Sequence, residues 1–162
     1  MSTYLIFSLL SIVFIAGCVQ DVIIYPPTNE SNESITETTG QQILAGNTTK
    51  YVRFTELDYQ KALSENKAIY LYFYANWCPI CAVERPNIFQ AFEEMNYTDV
   101  IGFEVHFNDN EVAADDEAIS RNFGIAYQHT TIILNKNGEE VFRSLNPISK
   151  ETIKQEIAEA RL

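Results

Sequence analysis

Two cysteines stand three positions apart in the segment Tyr74-Ala75-Asn76-Trp77-Cys78-Pro79-Ile80-Cys81. Three chemistries use such a C-x-x-C pair. A structural zinc site needs four ligands. The chain has no second C-x-x-C, and only His106 and His129 could complete one, at spacings unlike any zinc finger. A structural disulfide between Cys78 and Cys81 would close too small a loop to stabilise much. Thiol–disulfide exchange needs one sulfur that ionises readily and a second within reach of it.

The elements that must hold the pair are legible around it. Ala68 to Ala75 (AIYLYFYA) is a continuous apolar, aromatic-rich run between polar residues, which predicts a central strand buried on both faces. Pro79 suits the first position of a helix, which puts Cys78 at its N-cap and runs to about Met95. Upstream, Thr55-Glu56-Leu57-Asp58 starts a short helix to about Glu65. Downstream, Val100 to Phe107 reads as a second strand, and Ala114 to Phe123 as a helix stopped by Gly124. Thr130 to Leu134 and Glu139 to Leu145 are strands joined by a turn at Asn137-Gly138, and Ser149 caps a last helix carrying Ile153 and Ile157 on one face. A βαβ start, a hairpin and a closing helix predict an α/β fold with a mixed central sheet and helices on both faces. His106 falls on the second strand and is expected to be satisfied by a backbone acceptor.

At a helix N-terminus, free amides and the positive end of the dipole favour a thiolate. A cysteine there can fall from a pKa near 8.5 to between about 3.5 and 7.5. Cys81 lies one turn further on, facing the same way. A C-x-x-C near a βαβ pattern points to exchange chemistry, with Cys78 as nucleophile and Cys81 as the resolving thiol. Exchange of this kind requires no cofactor and no resident metal.

Residues 51–162 resemble the thioredoxin superfamily. FYANWCPIC is similar to that family's active-site segment, and Pro86 matches its helix-kinking proline. CAVERP and GIAYQHTTIILNKNGEE are most similar to exported, membrane-attached members, of the cytochrome c maturation and disulfide-reductase type. The resemblance implies a thioredoxin-like fold and a protein-disulfide oxidoreductase acting on a client with a disulfide or dithiol, served by a redox partner. It also implies that Trp77 and Pro79 shape the site. Three positions depart from or qualify the pattern. Tyr72 stands where many members have a buried Asp that assists proton transfer. Glu84 fits an acidic residue of the cytochrome-maturation relatives, or is an ordinary exposed helix glutamate. His129 occupies the place of the family's cis-proline, before Thr130. It can tune the Cys78 thiolate, be a plain loop histidine, or complete a metal site. The last option supports an alternative function, a non-catalytic surface module binding a metal or Fe–S centre through Cys78, Cys81 and His129.

The rest of the chain bears on location. Of 162 residues, 22 are acidic and 11 basic, a formal charge of -11 that excludes a nucleic-acid surface. Tyr4 to Ala16 is uncharged and almost wholly apolar, shorter than the roughly 20 residues of a spanning helix but matching a signal-peptide core. Ile15-Ala16-Gly17-Cys18 resembles the lipobox of secreted lipoproteins, in which Cys18 would be acylated. Residues 1–17 are then a signal peptide, with an uncleaved signal-anchor or a core helix as the other readings. Residues 18–50, rich in Thr, Ser, Asn, Glu and Gln, read as a flexible stalk. The expected product is a monomer, lipid-anchored on the extracytoplasmic face of the cell membrane. N-x-S/T sequons at Asn29, Asn32, Asn47 and Asn96 offer glycosylation sites.

Overall fold

The computed structural model describes residues 41–162. The signal peptide, Cys18, Asn29, Asn32 and the stalk through residue 40 lie outside the described residues. In chain order the elements are β1 (Ile43–Ala45), β2 (Lys50–Arg53), α1 (Glu56–Ser64), β3 (Ala68–Tyr74), α2 (Pro79–Glu94), β4 (Val100–His106), α3 (Ala114–Asn122), β5 (Thr130–Leu134), β6 (Glu140–Ser144) and α4 (Lys150–Ala160). The six strands form one sheet in the order β1-β2-β4-β3-β5-β6. β2, β4 and β3 run parallel, while β1, β5 and β6 pair antiparallel with their neighbours.

β3 lies inside the sheet, and alternate side chains serve opposite layers because a strand turns its side chains every second residue. Ile69, Leu71 and Phe73 pack with Tyr59 and Ala62 of α1 and Ile119 of α3. Tyr70 and Tyr72 pack with Ile88, Ala91 and Phe92 of α2 and Ile153 and Ile157 of α4. This three-layer arrangement is the mixed α/β fold expected from the sequence. Each buried large apolar side chain contributes about 1.5–3 kcal/mol, which is why an unbroken apolar run sits here rather than at an edge.

The N-terminal boundary differs from the expectation. Residues 43–53 form a hairpin on the sheet edge, so the ordered domain begins before residue 51 and the stalk ends earlier than residue 50. Gly46 turns the chain at φ 82°, and its N–H donates to Glu93 Oε1 at 2.9 Å. Buried Thr49 accepts from the Tyr97 N–H at 2.7 Å and donates to the Tyr97 carbonyl at 3.1 Å. These bonds clamp the hairpin's turn against the end of α2, while Ala45, Tyr51 and Val52 bury its apolar side chains in the core. Asn47 therefore belongs to a folded turn, with its side chain exposed, and Asn96 is also exposed. The β5–β6 turn is the expected Asn135-Lys136-Asn137-Gly138 segment, with the Gly138 N–H donating to the Asn135 carbonyl at 2.9 Å and Gly138 at φ 78°. Among the described residues, no helix is long and apolar enough to cross a membrane.

Gly102, mid-way along β4, is required by close approach. A Cβ there would lie 2.4 Å from Phe92 and 2.6 Å from Tyr51, rings already packed with centroids 5.0 Å apart. Gly102→Ala is expected to cost about 1–3 kcal/mol through overpacking, measured as a lower urea midpoint. Adding Phe92→Leu should recover part of that loss.

Candidate active site

The chain after β3 delivers Ala75, Asn76 and Trp77, and α2 begins immediately after Cys78. Cys78 has an extended backbone (φ -82°, ψ 116°) and acts as N-cap, its Sγ accepting the Cys81 N–H at 3.2 Å. Pro79 occupies the first helical turn, where its missing N–H leaves no gap in the helix ladder. The Cys78 N–H donates to the Ala75 carbonyl at 3.1 Å, closing the loop tightly. Both thiols are free and buried. Burial pushes the Cys81 thiol up to about 11; the neighbouring Cys78 adds to the rise, while contacts with Ala75 and Tyr72 oppose it. Cys81 thus holds its proton at neutral pH.

A buried polar pair lies against Cys81. The Tyr72 hydroxyl donates to Glu84 Oε2 at 2.9 Å, and the Ile148 N–H donates to Glu84 Oε1 at 3.0 Å. Glu84 is 1% exposed, so it is not the exposed helix glutamate that its position allowed. Burial raises its pKa, with the Ile148 and Tyr72 hydrogen bonds pulling the other way. Tyr72 and Cys81 act on one another's ionisation, Cys81 adding to the rise of the phenol's pKa and Tyr72 opposing that of the thiol. Burial holds this phenol protonated well beyond its usual range.

His129 arrives from the other side of β3. The antiparallel register pairs Phe73 with Thr130, so the residue before β5 sits at the dithiol end of the sheet. Among the described residues there is no cis peptide bond; His129 adopts φ 57° instead. Left-handed backbone costs an L-residue roughly 1–2 kcal/mol. The loop is held by the His129 N–H donating to the Phe73 carbonyl at 2.7 Å, and by the Thr130 hydroxyl donating to the Tyr127 carbonyl at 2.8 Å. A proline could not make the first of these bonds. The Cys78, Cys81 and His129 ligand atoms all lie within 4.8 Å of one another. His129 Nδ1 is buried and has no hydrogen-bond partner among the described residues.

Sequence reasoning missed the loop that braces the other flank. Trp77 is 53% exposed, yet its Nε1 donates to the Asn108 carbonyl at 2.8 Å. Asp109 Oδ2 accepts the Asn76 N–H at 3.0 Å, and Oδ1 accepts the Glu111 N–H at 2.9 Å. Burial works against the Asp109 carboxylate, but these amides and His106 hold it below its ordinary range. His106 is satisfied by this carboxylate, with Nδ1 2.8 Å from Oδ2, rather than by a backbone acceptor. The available signal was the Asn108-Asp109-Asn110 cluster, whose residue types bond to nearby backbone in turns.

The family model described as Thioredoxin matches residues 50–159. The chain belongs to the thioredoxin family. Solved structures agree on the fold. Trxlp from Edwardsiella tarda is 23% identical with a TM-score of 0.55, covering 65% of this chain and 95% of its own. The thioredoxin NaTrxh from Nicotiana alata is 22% identical with a TM-score of 0.53, covering 73% and 98%. A mutant thioredoxin from Halobacterium salinarum is 20% identical with a TM-score of 0.51, covering 69% and 90%. No curated protein matches the sequence. This is therefore a thioredoxin-fold protein of redox type, with its two thiols close together at the helix start.

The raised pKa of Glu84 has a thermodynamic consequence. Because the folded state holds the Glu84 proton more tightly than the unfolded chain, stability is greatest below the ordinary value of 4.5 and falls as pH rises through the folded value. Glu84→Gln should remove this part of the slope. Urea unfolding of both proteins across pH 4 to 9 would check it, and parallel profiles would contradict it.

Proposed function

We propose that this chain is a thiol–disulfide oxidoreductase acting on protein disulfides, with Cys78 as attacking and Cys81 as resolving thiol. The observation carrying the reading is the N-cap geometry: Cys78 Sγ accepts a helix amide while the second sulfur waits one turn along. The Cys78 thiolate attacks one sulfur of a client disulfide, forming a mixed disulfide and releasing the other client sulfur as a thiolate. Cys81 then loses its proton and attacks Cys78 Sγ. The Cys78–Cys81 bond forms, the second client sulfur leaves as a thiolate, and two electrons have passed to the client. The Cys81 proton passes by way of the Tyr72 hydroxyl to Glu84, which accepts from that hydroxyl at 2.9 Å and whose pKa, raised by burial, makes it a stronger proton acceptor than an ordinary carboxylate. The reverse sequence oxidises a client dithiol.

Trp77, Ile80, Val83 and Tyr127 are exposed on the segments that carry Cys78, Cys81 and His129, apolar surface suited to a protein client rather than a small polar molecule. His129 tunes the thiols from the loop before β5, and Trp77 and Pro79 shape the approach. The apolar N-terminal run and the Ile15-Ala16-Gly17-Cys18 motif support an extracytoplasmic protein tethered through a lipid on Cys18.

Two measurements test these parts separately. Cys81→Ser should accumulate mixed disulfides with clients while Cys78→Ser forms none; equal trapping by both would defeat the assignment of roles. Cys18→Ser should move the expressed protein from the membrane fraction into the soluble one without changing its dithiol chemistry. Retention in the membrane would point to an uncleaved anchor.

A further inference from the structure

We propose that the reduced protein binds one zinc-class divalent ion through Cys78 Sγ, Cys81 Sγ and a ring nitrogen of His129. The inference goes beyond exchange chemistry, because it concerns what occupies the thiols when no client does. The three donors come from a helix N-cap, the first turn of that helix and the loop before β5. They converge to within 4.8 Å of one another. Tetrahedral zinc, with Zn–S near 2.3 Å and Zn–N near 2.0–2.1 Å, places its donors roughly 3.5–3.8 Å apart, so closure takes about 1 Å. Side-chain rotation of Cys78 and His129, neither of them inside a helix, can supply that movement.

A second observation is the buried His129 Nδ1, which has no partner among the described residues. A buried polar nitrogen left unpaired costs about 1–3 kcal/mol, and coordination would place this imidazole in a bonded network. The loop is already fixed by the Phe73 and Tyr127 carbonyls, so the ring is presented without further ordering of the backbone. Two thiolates balance a dipositive ion, and any proton still held by either sulfur leaves to solvent on binding. Soft sulfur with imidazole selects zinc-class ions over magnesium or calcium. Three protein ligands leave a fourth position for water or an external thiol. The bound ion engages the attacking sulfur, so the metal-loaded form is closed to clients. The Cys78–Cys81 disulfide has no thiolates to offer and releases the ion.

The test uses the full chain, reduced and stripped of metal under anaerobic conditions, titrated with Co²⁺ and then with Zn²⁺. Wild type should show thiolate-to-cobalt charge transfer and tetrahedral ligand-field bands saturating at one ion per chain, displaced by Zn²⁺. Zn²⁺ should slow alkylation of the thiols. His129→Asn, which suits left-handed backbone, should keep the fold and lower zinc affinity at least about tenfold. Oxidised protein should bind none. No saturable binding by wild type, or unchanged affinity and spectrum in His129→Asn, overturns the proposal. So does one ion per two chains. Exchange chemistry is read independently, by counting thiols after oxidation in a metal-free buffer.

Discussion

A single hydrogen bond, from the Cys81 N–H to Cys78 Sγ, joins the start of α2 to the sulfur on which its chemistry turns. The bond satisfies one of the amides that every helix leaves unpaired at its start, and a sulfur takes the role usually given to Ser, Thr, Asp or Asn. It needs α2 to begin at the next residue, which Pro79 ensures, and it needs β3 to end at Tyr74, so that the Ala75 carbonyl can close the loop between them. β3 is therefore central in two senses. It carries aromatic and aliphatic side chains into both layers, and its C-terminal end fixes where the first sulfur can stand. The antiparallel partner β5 starts at the same level, which brings His129 to the dithiol without any contact to α2 being required.

Around this centre the fold buries carboxylates and manages each differently. Glu104 on β4 is gripped by Arg85 through Nε at 2.7 Å and Nη2 at 3.0 Å, and that guanidinium lies over the Tyr74 and Phe89 rings. Asp116 on α3 accepts from Arg53 and from the His106 and Ala113 backbone amides. Both anions have a cation to balance them. Glu84 has only a phenol and an amide, so burial dominates and its proton is held more tightly. That contrast separates carboxylates that tie elements together through a cation from one whose proton is held more tightly by burial.

The strands and helices that build the core were legible because apolar runs and cap residues announce themselves locally. Ala68 to Ala75 read as an interior strand, and Cys78-Pro79 as the opening of a helix. β1 and β2 were not legible, because the few apolar residues that anchor them sit among polar ones and their turn is held by Thr49 and Gly46 bonding to α2 and the residues after it, contacts that no local pattern encodes. The site divides the same way. Cys78 and Cys81 are read from spacing. The burial of Glu84 depends on Ile148 and Tyr72, 64 and 12 residues away, and so emerges only in three dimensions. The brace of Asn108 and Asp109 on Asn76 and Trp77 was hidden for the same reason.

His129 shows how one substitution in a family pattern redistributes physical constraints. The resemblance places proline there, a residue with no N–H and no side chain able to bind a proton or an ion. Histidine restores the N–H, which the Phe73 carbonyl accepts, so the β3–β5 ladder extends one bond further toward the dithiol. The same residue takes a left-handed backbone, and that turn, held by the Thr130–Tyr127 bond, aims an imidazole at two sulfurs. Backbone gain and side-chain placement are therefore coupled: the hydrogen bond that stabilises the loop also fixes the ring that can meet the thiols. A residue chosen only to close the ladder would need no ring, and one chosen only to line a loop would not be held from both sides. The arrangement sets an imidazole beside the dithiol, its ligand atom within 4.8 Å of both sulfurs.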